Sequence, residues 1–157
     1  MQKSLAVLLT FIVLAAGAQA EDQSAIAAPI RQLFDGFNRG DPKSALAAYD
    51  EGDITIIDEI PPFRWRGRGA PMAWAADYQA HARARGIAGG TVTYDEPTRI
   101  ETLGQRAYVV VPTVSLYARQ GQPIREEAQV TFVLRHSARG WKIGSWTWTG
   151  VPPHPAP

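Results

Sequence analysis

The chain has 157 residues, a formal net charge of +1 and no cysteine. Those facts exclude disulfides and thiolate metal sites, and they remove the surplus of cations that a nucleic-acid partner requires. Lys3 stands ahead of the apolar run Leu5 to Ala16, and Ala18-Gln19-Ala20 follows it, which is the pattern of a cleavable signal peptide over residues 1–20. The run is shorter than a bilayer span needs, and no Cys follows it to carry a lipid. The mature protein is therefore expected to begin at Glu21, to be periplasmic or secreted, and to have no membrane attachment after cleavage. Residues 21–150 have the length of one domain. Residues 151–157 form a Pro-rich tail, expected to be loose.

Ile26, Ile30, Leu33, Phe34 and Phe37 recur at helical spacing until Gly40. Asp41 then caps a second short helix with Pro42 at its first position, and Leu46 and Tyr49 face inward. Asp53 to Ile60 is rich in Ile and Thr and ends at Pro61-Pro62, so it is the first strand. The run Arg64, Arg66, Arg68, with Gly67 and Gly69 interleaved, reads as a solvated strand end and loop. A third helix is expected over Pro71 to Arg85, with Trp74, Tyr78 and His81 on one face. Strand patterns follow at Thr91–Ile100, Ala107–Ala118, Ile124–His136 and Trp141–Thr149, separated by Gly-containing turns. Helices that precede such a meander cannot serve as its crossovers. The chain is therefore expected to be α+β, with three helices packed on one face of a curved antiparallel sheet around an apolar hollow.

Three segments carry a resemblance: Phe37-Asn38-Arg39-Gly40-Asp41, Asp53-Ile54-Thr55-Ile56-Ile57-Asp58 with Gly67 beyond it, and Gly140-Trp141-Lys142-Ile143. In this order and spacing the chain resembles the nuclear transport factor 2-like superfamily, also called SnoaL-like, whose members have a cone-shaped cystatin-like fold. The resemblance implies that fold across the whole mature domain. It does not imply one function, because the superfamily includes isomerases, dehydratases, hydrolases, cyclases and members that only bind or assemble.

Asp58 is the first candidate site residue, on the strand's own alternation. It lies in phase with Ile54, Ile56 and Ile60, and a carboxyl among apolar neighbours gains the raised pKa that suits a proton acceptor. A strand-end Asp satisfied by backbone amides is the alternative. Ketosteroid isomerase, within the same superfamily, has a similar run, and Asp53, Thr55, Asp58 and Gly67 match it, which implies that Asp58 is the proton-shuttling base. The isomerase's oxyanion-stabilising Tyr falls on Leu33 here, and its protonated second acid falls near Glu126, Glu127 or Gln129. A base without an oxyanion donor lacks the term that is usually largest, which argues against steroid isomerisation.

Trp65, Trp74, Tyr78, Trp146 and Trp148 are expected to line a pocket for a small apolar molecule, against the alternative that they are core. His81, on the helix face with Trp74 and Tyr78, is the candidate catalytic partner of Asp58. Trp146 and Trp148 share one face of the last strand while Trp141 and Ile143 share the other, so if the strand has no bulge one pair is expected to form an exposed patch through which the protein dimerises. The His spacing predicts no metal site, and no nucleotide fingerprint predicts a cofactor. Two readings remain: a small-molecule enzyme with Asp58 as general base, or a non-catalytic ligand-binding or dimeric assembly domain.

Overall fold

The computed structural model describes residues 5–157, with side chains from residue 22 onward. Of the expected signal peptide, residues 1–4 lie outside the described residues and the side chains of the rest lie outside those described. Among the described residues no helix is long and apolar enough to cross a membrane.

Helix α1 (Leu5–Asn38) carries the predicted stripe, with Ile26, Ile30, Leu33 and Phe34 buried against the sheet. Phe34 stacks on Tyr94 at 5.0 Å and meets Phe132 edge-on at 5.9 Å. Each such side chain withdrawn from water contributes about 1.5–3 kcal/mol. Gly40, at φ +63, turns the chain out of the helix. Asp41 Oδ1 then accepts the Ser44 N–H at 3.0 Å and starts α2 (Pro42–Leu46). The two helices touch at Gly36, where a Cβ would lie 2.7 Å from the Ala45 nitrogen. Helix α3 (Ala70–Arg85) ends as expected at Gly86, in the left-handed conformation.

The strands are β1 (Ile54–Ile57), β2 (Arg64–Gly67), β3 (Ile87–Tyr94), β4 (Arg99–Leu103), β5 (Arg106–Arg119), β6 (Gln122–Ser137), β7 (Gly140–Gly150) and β8 (His154–Pro155). Their order is β2-β1-β7-β6-β5-β3, with β4 on β5 and β8 on β6. The sheet is mixed rather than wholly antiparallel, because β1 runs parallel to β7. That pair joins an early strand to the last one, so no hairpin dictates its direction. The Arg64 to Gly67 segment is a full strand paired to β1, with Arg64 and Arg66 exposed and Trp65 turned inward between them.

Three expectations are corrected. The strand expected over Thr91–Ile100 is two strands, both paired to β5, broken at Asp95 to Thr98 where Pro97 has no N–H for the ladder. The tail is not loose: His154–Pro155 pairs with Ile124 and Arg125, on a stretch of β6 beyond the end of β7, and the Ala156 N–H reaches the Pro123 oxygen at 3.0 Å. The opposed aromatic pairs of the last strand also disappear. Leu134 faces Ile143 but Val133 faces Ser145, so a bulge at Gly144 shifts the alternation by one. Ile143 and Trp146 are consequently both buried on the helix side, and Trp141 packs against the same core. No aromatic patch is left on the outer face of β7.

Candidate functional site

A cavity of about 810 Å³ opens between the three helices and the inner face of β5, β6 and β7. The core fills the same face at one end, through Ala107, Val109, Val111 and Leu134, with Phe132 at the boundary. Towards the other end the alternation continues but its chemistry changes: Ser115, Tyr117 and Arg119 on β5 and Glu126 on β6 turn into the cavity. Trp74, Tyr78 and His81 come from α3, and Leu33 and Phe37 from α1.

Asp58 follows β1 and keeps the phase of Ile54 and Ile56, so its half-buried carboxyl lines the cavity. Trp74 Nε1 donates to Oδ2 at 2.6 Å and the Glu59 N–H donates to Oδ1 at 2.7 Å. Burial raises the Asp58 pKa above the usual carboxylate range, and those two donors, the Ile60 amide and the charge of His81 moderate the rise. His81 is on the cavity wall without a hydrogen bond to Asp58. The indole of Trp74 has the position beside the carboxyl that the sequence suggested for the histidine.

Trp74 meets Trp146 edge-on at 5.1 Å and lies 5.5 Å from Tyr78, whose ring in turn meets Phe37 at 5.9 Å. These rings make an aromatic wall. Trp148 lines the cavity too, and its Nε1 donates to Glu126 Oε1 at 2.8 Å. Trp65 does not belong to the wall. It is buried between β2 and α3, where its Nε1 donates to Asp77 Oδ2 at 2.8 Å and pins the helix to the sheet.

Several further residues enter the site, and of these only Glu126 carries a sequence-based expectation, as one of three positions near the isomerase's second acid. Tyr49 is buried at the cavity edge, and its hydroxyl oxygen accepts the Trp146 Nε1–H at 2.8 Å. Burial pushes its phenol pKa well up, so the hydroxyl stays protonated, and that proton has no acceptor among the described residues. Leu33, where the isomerase resemblance leaves a missing donor, sits on the same cavity wall. Glu126 is only 4% exposed and lies against Glu59. Burial, followed by the neighbouring Glu126 charge, pushes Glu59 up to about 7. A Cβ at Gly150 would come within 2.6 Å of Glu126 Oε1 and 3.4 Å of Glu59 Oε2, so the pair occupies the space that the glycine leaves. Arg119 Nη2 donates to the Tyr117 hydroxyl at 3.1 Å, and that hydroxyl approaches Glu126 Oε2 at 3.5 Å. Among the described residues no three His, Cys, Asp or Glu side chains are placed to hold a metal ion.

This arrangement can hold a small molecule with an apolar body, remove a proton with Asp58 and hold a ligand oxygen with Tyr49. No protein-family model matches the sequence, and no curated protein matches it either. Among solved structures, the chain is similar to a ketosteroid isomerase-like protein from Erwinia carotovora atroseptica at 21% identity and a TM-score of 0.68, over 85% of this chain and 98% of that one. It is similar to a nuclear transport factor 2-like superfamily protein from Salmonella enterica serovar Typhimurium at 17% identity and a TM-score of 0.68, over 88% of this chain and 94% of the other. A protein with a cystatin-like fold from Novosphingobium aromaticivorans aligns at 17% identity and a TM-score of 0.64, over 94% of this chain and 90% of its own. Likenesses at these identities are likenesses of fold, and the fold they identify is the nuclear transport factor 2-like cone.

Proposed function

We propose that the protein is an exported domain that takes a small organic molecule into its cavity and moves a proton there, with Asp58 as general base. The observation that carries this reading is the Asp58 carboxyl, half-buried in an aromatic cavity with one oxygen held by the Trp74 indole. A raised pKa brings a carboxylate closer to the pKa that is useful for accepting a carbon-bound proton near neutral pH. The Tyr49 hydroxyl supplies the donor for a developing oxyanion, a role that does not fall on Leu33. His81 stands by on the wall as a second proton carrier.

The experiment is solvent deuterium exchange at the α-carbon of a small enolisable aromatic ketone such as 2-tetralone, followed by NMR. Asp58→Asn is expected to slow the protein-catalysed exchange by about a hundredfold or more while the ketone still binds. Exchange at the wild-type rate in Asp58→Asn would remove Asp58 as the base. Export rests on Lys3, the apolar run and Ala18-Gln19-Ala20; mass spectrometry of periplasmic material should find Glu21 at the N-terminus, and a protein with intact Met1 in the soluble cytoplasmic fraction would reject it.

A second reading, homodimeric assembly, is favoured by the outer face of β5. Tyr108 and Leu116 are exposed there, in the same alternation as Val110 and Val114. Light scattering at high micromolar concentration tests it, and a monomer would reject it.

A further inference from the structure

The charged groups of the cavity are unequally satisfied. Asp58 has the Trp74 indole and the Glu59 amide, and Glu126 has the Trp148 indole with Glu59 beside it. Arg119 differs. It ends the inward-facing alternation of β5 and lines the cavity, with Nη2 donating to the Tyr117 hydroxyl and its guanidinium carbon 5.8 Å from the Tyr117 ring centre. Among the described residues no carboxylate forms an ion pair with it, although the field of its charge reaches Glu59. Its Nε is buried and has no hydrogen-bond partner.

A buried donor without an acceptor costs about 1–3 kcal/mol, more when it is charged. The planar fork of a guanidinium is shaped to be met by two oxygens of a carboxylate. Glu59 nearby does not repel such a group with a full charge, because burial raises its pKa to about 7. A cationic ligand finds less here, since Asp58 and Glu126 already have indole donors.

Resting on the reading of the cavity as a small-molecule site, we infer that its ligand is an organic anion, a carboxylate on an apolar or aromatic body, with Arg119 as the residue that takes the carboxylate. The body lies along Trp74, Tyr78 and Trp146. Arg119 selects the ligand and does not take part in the proton transfer at Asp58.

Isothermal titration calorimetry with 2-naphthoate and its methyl ester tests this on the mature protein. Wild type should bind the acid about tenfold or more tighter than the ester, the scale of one charge-assisted hydrogen bond. Arg119→Gln should abolish that preference and leave the affinity for the ester unchanged, an outcome that a merely structural arginine would not produce. Arg119→Lys keeps the charge without the fork, guards against a misfolded Gln variant, and should retain only part of the preference. Equal binding of acid and ester by wild type would overturn the inference and leave the cavity reading standing. An acid preference that survives both substitutions would overturn the assignment to Arg119. If neither probe binds, the cavity reading itself falls, and the inference with it.

Discussion

The inner face of β5 and β6 has two halves that share strands, pleat and alternation yet do opposite work. In one half, Ala107, Val109, Val111 and Leu134 are packed in the core with exposures of 0–1%, and Phe132 stands at the boundary. In the other, Tyr117, Arg119 and Glu126 stand where the sheet and the helices part and the cavity opens. The ladder between them is continuous, from Ala107 opposite Leu134 to Ser115 opposite Glu126. Which face a residue occupies is therefore set by parity, but whether it is core or site is set by what lies above it. Substitutions in the first half should act on stability and those in the second on titration and ligand choice.

The largest effect is expected from Phe132→Ala. The ring is fully buried and meets Phe34 edge-on, so its removal should cost about 3–5 kcal/mol in a denaturant titration. A loss under about 1 kcal/mol would mean that the site's half of the sheet, and not the core half, holds the fold together. Trp148→Phe is next. It keeps an aromatic ring but removes the N–H that holds Glu126 Oε1 at 2.8 Å, so the buried Glu126 carboxyl loses its shortest hydrogen bond. The cost should be about 1–3 kcal/mol in the same denaturant titration. A loss under about 0.5 kcal/mol would show that the hydrogen bond to Glu126 is not what holds this end of the sheet together.

How much of this was legible in the sequence varies along the chain for physical reasons. The α1 stripe and the Asp41-Pro42 start of α2 were readable because helical spacing and capping are local. Asp58 was readable because a carboxyl in phase with isoleucines is an anomaly visible within one strand. The same test would have found Glu126, in phase with Ile124, Ala128 and Val130, and so would have separated it from Glu127 and Gln129, which turn outward. The Gly144 bulge was not readable, because it is a property of how β7 registers on β6 and of neither strand alone. Nor was the partner of Trp65, since Asp77 meets it only after α3 has folded back over β2. Tyr49 is a similar case. It lies outside every regular strand, joined to Ile143 by a single bridge, and acquires its role from Trp146, far along the chain.

The smallest effect, and the one that most directly isolates the polar half, is expected from Glu59→Gln. The folded-state pKa of Glu59 is raised from 4.5 to about 7 by burial and by Glu126, with Asp58 adding to the rise and Arg119 opposing it. A carboxyl raised in this way contributes stability that is fully present below its unfolded pKa, where both states hold the proton. That contribution is lost as pH rises through 4.5 to about 7, because folding then favours a proton that the unfolded chain has released. Wild type should therefore lose stability across that window, while Glu59→Gln, which cannot ionise, should show a flatter profile and be the more stable of the two at pH 8. Glu59 is exposed over much of its surface, so solvent screens the repulsion and the difference should be no more than about 0.5–1 kcal/mol. Thermal denaturation at pH 4, 6 and 8 on both proteins measures it. Parallel profiles would mean that Glu59 keeps an ordinary carboxylate pKa in the folded protein, and that neither its burial nor Glu126 bears on its ionisation.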